Sequence, residues 1–182
     1  MRNDETRMDS CPRECGFSLL ELLVTLGVAA IVLSVGVPGF VGVVQNNRAA
    51  TQANEVVTAL SLARSEAVRR SARIGVCQSA DGLTCGGAGW EDGWIVFEDG
   101  AASDAAAPVV TEVLRAWPAL NDSAALDVPS TWVRFLPHGE VRAPVALPLT
   151  VDLQVHGCSG DQGRQIELNA IGRTSVAHAA CI

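Results

Sequence analysis

Gly16-Phe17-Ser18-Leu19-Leu20-Glu21 joins a short polar leader to an uncharged apolar stretch, Leu22 to Val44. A carboxylate just inside the start of such a stretch is costly in lipid unless something compensates its charge. A cut after Gly16 would supply the compensation, because it frees an α-amino group on Phe17, four residues before Glu21. The chemistry on offer is therefore peptide cleavage done to this chain, followed by an ion pair. Chemistry done by the chain is harder to find. The sequence holds no Gly-x-Ser-x-Gly, no P-loop and no His-Glu-x-x-His. Gly86-Gly87-x-Gly89 reads as a flexible loop, not a phosphate cradle. Glu91-Asp92 and Glu98-Asp99 could bind calcium, but their spacing matches no EF-hand and solvated loop carboxylates are commoner. His138, His156 and His178 form no ligand set and no C-x-x-C is present, so neither a metal nor a cofactor is expected. The chain reads as the substrate of an enzyme, not as an enzyme.

The elements that must position Phe17 and Glu21 come next. The leader Met1–Gly16 is polar, with Arg2, Arg7 and Arg13 set against Asp4, Glu5, Asp9 and Glu14. A secretory signal would need a shorter apolar core and a small-residue cleavage site after it. A plain single-pass anchor needs about 20 apolar residues. Leu22–Val44 supplies them, but that reading leaves Glu21 unexplained. The arginines before the span, against Arg48 alone close after it, place the leader in the cytoplasm and the remainder across the inner membrane in the periplasm. Gly36, Pro38 and Gly39 interrupt the apolar run, and Pro38 is the expected point of a kink or break.

Beyond the span, Gln45–Arg73 keeps an apolar stripe at Val56, Val57, Leu60, Ala63, Ala67 and Val68, which predicts an amphipathic continuation of the same helix. Arg64, Arg69, Arg70 and Arg73 near its end complement the helix dipole. From Ile74 the pattern changes to short strands and turns. Strands are expected at Ile74–Cys77, Trp94–Glu98, Val109–Leu114, Trp132–Leu136, Leu147–Val155, Gln165–Asn169 and Arg173–Ala177. Ala101–Pro108 reads as a mobile small-residue loop and Asn121–Pro129 as a connecting segment. The predicted organisation is a leader over 1–16, a membrane helix over 17–44, an amphipathic continuation over 45–73 and a β-rich domain over 74–182. The fold class is α+β, with the helix covering one face of an antiparallel sheet.

The chain has 182 residues, a net charge of −7, six cysteines and thirteen basic residues, all of them arginine. About 135 residues remain after the leader and span, enough for one globular domain. Cys11 and Cys15 leave with the leader if it is cut off. Cys77, Cys85, Cys158 and Cys181 then form an even set facing an oxidising compartment. Three connectivities are open to them. Cys77–Cys85, closing a small loop, with Cys158–Cys181, tying back the C-terminus, is the favoured one.

Gly16, Phe17, Glu21 and the apolar run resemble the processing site of type IV pilins and type II secretion pseudopilins. The resemblance implies that a prepilin peptidase cuts after Gly16 and N-methylates Phe17. It also implies that Glu21 pairs with a neighbouring subunit's N-terminus, and that Pro38 permits local melting of the helix inside a filament. Cys77-x-Ser79, Asp81-Gly82, Cys85, Trp90-x-x-Gly93-Trp94-Ile95-Val96-Phe97 and Asp99 resemble the GspH/FimT family of minor pilins and pseudopilins. Arg134-Phe135-x-Pro137-x-Gly139 and Ile166-x-Leu168-Asn169-x-x-Gly172-Arg173 fit the later strands of that family. Trp90 and Trp94 read physically as packing anchors, not as a ligand box. The family implies a type IV pilin-like fold, assembly with major and minor pilins or pseudopilins, and a role at a filament tip or in initiation. Some members bind DNA through Gly-Arg-x-Arg near the C-terminus. Here Ser175 stands where the second arginine would be, leaving Arg173, Arg164 and Arg142 as candidate phosphate contacts. The segment from Arg48 onward is acidic overall, which weakens non-specific attraction to DNA.

Overall fold

The helix α1 spans Leu19–Arg70. The computed structural model of the chain describes residues 17–87, 89–120 and 124–181, and the side chain of Pro38 is outside that description. Gly16, Cys11 and Cys15 therefore lie outside the described residues. The chain divides into two compact units that meet at Phe40 and Val41, so α1 contributes to both.

Ser18 starts the helix. Its Oγ accepts the backbone N–H of Leu20 at 3.3 Å, and its carbonyl accepts that of Leu22 at 3.1 Å. Ser18 is thus the N-cap and Glu21 the third helical residue, the Ser-x-x-Glu spacing of a capping box. In the first unit the hydroxyls of Thr25 and Ser34 donate back to the carbonyls of Leu22 and Ile31, at 2.9 and 2.8 Å. Neither of these two hydroxyl hydrogens needs a solvent partner, which suits a segment in lipid. The helix runs through position 38 without a break.

The described residues of the second unit hold the remainder of α1 and nine strands. The helix buries Ala49, Ala53, Val56, Leu60, Ala63 and Ala67, a stripe stepping alternately by four and three residues. Val68, expected on that stripe, is 53 % exposed, because it sits one position past the buried row. The helix ends three residues earlier than its arginines suggest. Ser71 takes φ 51°, and the Ala72 N–H donates to the Ala67 carbonyl at 3.3 Å. That closes the helix as a Schellman turn with serine in the place usually held by glycine.

The strands are β1 Ile74–Gln78, β2 Trp94–Asp99, β3 Val110–Trp117, β4 Ala124–Asp127, β5 Trp132–Phe135, β6 Val141–Arg142, β7 Leu149–Val155, β8 Gly163–Leu168 and β9 Thr174–Ala179. They form two antiparallel sheets, not one. The first has the order β3-β2-β1-β5-β6 and the second β4-β7-β8-β9. The connecting segment expected over 121–129 contains β4, whose short alanine-rich run gives no strand signal until it pairs with β7. The two-residue β6 was equally unreadable from sequence.

One core lies between α1 and both sheets, joining the alanine stripe to Ile74, Val76, Phe135, Leu153, Ile166 and Leu168. A second cluster, Cys77, Ile95, Phe97 and Trp132, covers the opposite face of the first sheet. Burial on both faces explains the unbroken apolar runs of β1 and β2. Gly75 is required between them: a Cβ there would lie 2.3 Å from the Phe97 ring directly opposite. Trp90 donates its indole N–H to the Ser130 carbonyl at 2.7 Å, and Trp94 stacks on Trp117 at 6.1 Å between centroids. Both are packing anchors.

Candidate functional site

The apolar half of α1 is the first candidate site. Phe17 is 80 % exposed, and Leu19, Leu20, Leu22 and Leu23 and the aliphatic residues on to Val43 are exposed with it. The helix is long and apolar enough to cross a membrane. An apolar surface of this extent needs lipid or other helices to cover it. Glu21 lies in the first turn, where its carboxylate opposes the partial positive charge of the helix N-terminus.

The arginines form the second candidate. Arg173 follows the tight turn after β8, held by its backbone N–H donating to Asn169 Oδ1 at 2.9 Å. It lines an open groove of about 650 Å³ together with Arg64 and Arg69 of α1. Gly172 permits this approach. It has φ +76°, and a Cβ there would meet the Gly139 carbonyl oxygen and the Arg64 side chain. Arg164 does not join the groove. It is only 6 % exposed and donates to the carbonyls of Gln162 and Gly163 and, at 2.6 Å, to Asn46 Oδ1 on α1. Its guanidinium ties β8 to the helix and offers little surface to a ligand. Arg142 donates to Glu140 and to the Val141 carbonyl at a different edge.

Sequence reasoning missed the most deeply buried charges. Arg134 and Asp99 are fully buried and paired at 2.6 Å. Three of the four remaining guanidinium hydrogens go to the carbonyls of Ser103, Asp104 and Ala106, and the guanidinium lies 4.7 Å over Trp132. Asp99 also accepts the N–H groups of Ala101 and Val109, each at 3.0 Å. The small-residue loop expected to be mobile is thus pinned at both ends and in the middle. In the sequence the Asp-Gly pair at 99–100 signals a turn and nothing of the buried pair.

Of the two acidic pairs considered for calcium, Glu98-Asp99 is engaged by arginines. Asp99 is consumed by Arg134, and Glu98 accepts from Arg70 at 3.1 Å. Among the described residues no group of three or more His, Cys, Asp or Glu is placed to hold a metal. Arg70 bridges Glu66, Glu98 and Glu112, which raises its affinity for its proton; Glu66, bonded by Arg69 and Arg70, is held below the usual carboxylate range.

Cys77 is bonded to Cys85 and Cys158 to Cys181, with Cα separations of 5.6 and 5.9 Å. Inside the first loop Asp81 accepts the N–H groups of Leu83 and Thr84, the Thr84 hydroxyl and the Ser79 hydroxyl. The Thr84 bonds lead in holding its carboxyl far below the usual range. Its task is to shape the loop.

A family model described as a prokaryotic N-terminal methylation motif matches residues 11–37, and one described as type II transport protein GspH matches residues 52–172. Two crystal structures of the type IV minor pilin FimU from Pseudomonas aeruginosa share the fold. The first is 18 % identical over 72 % of this chain and 89 % of that one, with a TM-score of 0.53. The second is 20 % identical over 70 % and 90 %, with a TM-score of 0.51. The minor pseudopilin EpsH of Vibrio cholerae gives 17 % identity over 72 % and 97 %, at a TM-score of 0.48. No curated protein matches. The GspH model covers residues 52–172, well over half of the chain, so this chain belongs to the family of type II transport proteins GspH, with an N-terminal methylation motif ahead of the matched region.

Proposed function

We propose that the chain is a structural subunit for the initiation or tip of a type IV pilus or type II secretion pseudopilus. The observation that carries this reading is the exposed apolar half of α1 with a single carboxylate in its first turn. A prepilin peptidase cuts after Gly16 and methylates Phe17. Until assembly the protein stands as a single-pass inner-membrane protein with residues 74–182 in the periplasm. On assembly, Glu21 accepts the N-terminal ammonium of a neighbouring subunit. Pairing two charges that are otherwise costly in lipid gives the helices a fixed register, because a slipped helix leaves both unpaired. Pro38 lacks the N–H that an unbroken helix would use, so the residues around it are the easiest to unwind when helices repack. Mass spectrometry of the protein from cells with and without the peptidase tests the processing. Loss of Met1–Gly16 and a methylated Phe17 is expected only with the peptidase, and an intact leader in competent cells would refute it.

A second reading, a DNA-binding subunit in DNA uptake, draws on the groove that brings Arg173 beside Arg64 and Arg69. It is weakened by the burial of Arg164 and by Ser175. Gel-shift titration of the chain from Asn46 onward separates the two. Salt-sensitive binding that falls on Arg173→Ala favours uptake, and no binding at low salt removes it.

A further inference from the structure

The two sheets have four edges, and three of them are protected. β3 carries Glu112 and Arg115 and is broken twice by register shifts against β2. β4 covers four of the described residues and ends in Asp127. β6 is two residues long, and its Val141 N–H is taken by the Ala170 carbonyl at 2.9 Å. Bulges, charges, short length and coverage are the usual ways in which an edge is kept from pairing.

β9 has none of these. It runs six residues in unbroken register with β8, with no proline and no carboxylate, lysine or arginine between Thr174 and Ala179. Its hydrogen-bonding phase can be read. Asn169 N–H donates to the Arg173 carbonyl at 3.1 Å, so 169 and 173 form a hydrogen-bonded pair. In an antiparallel ladder such pairs alternate with non-bonded ones. Ser175 and Ala177 therefore turn their backbone groups toward β8, while Thr174, Val176 and His178 turn theirs outward. No partner for those outward groups is present among the described residues.

The side chains tell the same story. Val176 lies opposite the fully buried Ile166 and belongs to the core-facing side of the sheet, yet it is 46 % exposed. Beyond it, the groove between β9 and α1 is lined by Ser65 and Val68 of the helix, with Val68 53 % exposed, and by Thr174. Arg64, Arg69 and Arg173 line it too, and neither Arg64 nor Arg173 has an ion-pair partner among the described residues. The second sheet is one strand short of covering its helix.

The geometry points to β9 as a docking edge for an extended, acidic segment of another polypeptide chain, which adds a fifth strand to the second sheet. Its backbone would pair with Thr174, Val176 and His178. Its inward side chains would cover Val176 and Val68, and its carboxylates would meet Arg64 and Arg173. The ladder supplies affinity and the arginines select the sign of charge. This inference goes beyond the assembly role proposed above and does not depend on cleavage after Gly16 or on a membrane ion pair.

The test uses the full chain in detergent micelles and a fluorescent seven-residue peptide with three glutamates at one end and four valines in the remainder. Saturable binding by anisotropy is expected, with slowed hydrogen exchange at the amides of Thr174, Val176 and His178. Three changes should each weaken binding at least about tenfold, the loss of one or two ladder bonds or the charge match. They are N-methylation of the peptide's pairing amides, arginine in place of its glutamates, and Val176→Pro in the protein. Proline is tolerated where the lost N–H points off the edge, and the N-methylated peptide carries the test even if that variant misfolds. Binding unchanged by N-methylation overturns the inference. So does an absence of peptide binding, self-association that protects the same three amides without peptide, or a response to duplex DNA alone.

Discussion

Glu21 occupies two roles at once, and substitutions can separate them. As the third helical residue after Ser18 it favours the helix start, and as a carboxylate in an apolar span it is the proposed partner of an ammonium. Glu21→Gln keeps the capping spacing and removes the charge. Cleavage and membrane insertion should survive in both Glu21→Gln and Glu21→Ala, and filament incorporation should fall to a similar degree in both. Incorporation of Glu21→Gln at the parent level, measured by immunoblot of sheared filaments, would assign the residue to capping alone. Arg134 and Asp99 set a different kind of expectation. Removing one member of a buried pair strands the other charge, so Arg134→Ala should cost about 3–5 kcal/mol in urea unfolding. Arg134→Met with Asp99→Asn should cost less than the sum of the two single changes.

At the scale of elements, α1 and the disulfides carry the clearest expectations. Ala63 is fully buried in the helix stripe, where small residues let the sheets approach. Ala63→Leu should destabilise by about 1–3 kcal/mol through overpacking, while Val68→Ser, on the exposed side, should stay within about 0.5 kcal/mol. Ser71 is the reverse case. It holds a left-handed conformation at the helix end, so Ser71→Gly should stabilise the domain by about 0.5 kcal/mol or more, read as a raised urea midpoint. Among the cystines, Cys158–Cys181 spans 23 residues and Cys77–Cys85 spans 8. Loop closure makes the first worth about 3.4 kcal/mol and the second about 2.5. Cys158→Ser with Cys181→Ser should therefore lower thermal stability more than the matching change at 77 and 85. Helix, strand type and turn chemistry were legible here from period and punctuation. The end of α1 was not, because serine at position 71 lacks the glycine signal, and the turn is recognised only by its φ and its backbone bond.

The molecule as a whole is acidic, and its response to acid follows from two carboxyls. Asp81 and Glu66 are held below their ordinary range by the hydrogen bonds of Thr84 and Leu83 and of Arg69 and Arg70. A folded-state value below the unfolded one favours the fold above the unfolded pKa, about 4 for these side chains. That contribution disappears as pH falls from about 4 toward the folded values. The urea midpoint should accordingly hold from pH 7 to about 5 and drop below it. Asp81→Asn should lower stability at pH 7 and flatten part of the acid slope. A midpoint that rises on acidification would contradict this assignment.

The sequence by itself determined what depends on near neighbours along the chain. The apolar helix with Glu21 at its start, the alanine-bearing stripe and the punctuation of the strands all follow from local chemistry and from periods of 3.6 and 2. The resemblance to GspH/FimT rests on such local runs. Only the tertiary structure decided how distant residues share space. It split the strands into two sheets, sent Arg164 inward to Asn46, closed Arg134 on Asp99 thirty-five positions away, and left the outer edge of β9 without a partner strand among the described residues, beside three arginines. Burial and pairing are properties of contacts across the chain. One-dimensional pattern shows that a residue can be buried or paired, and only the packing chooses its partner.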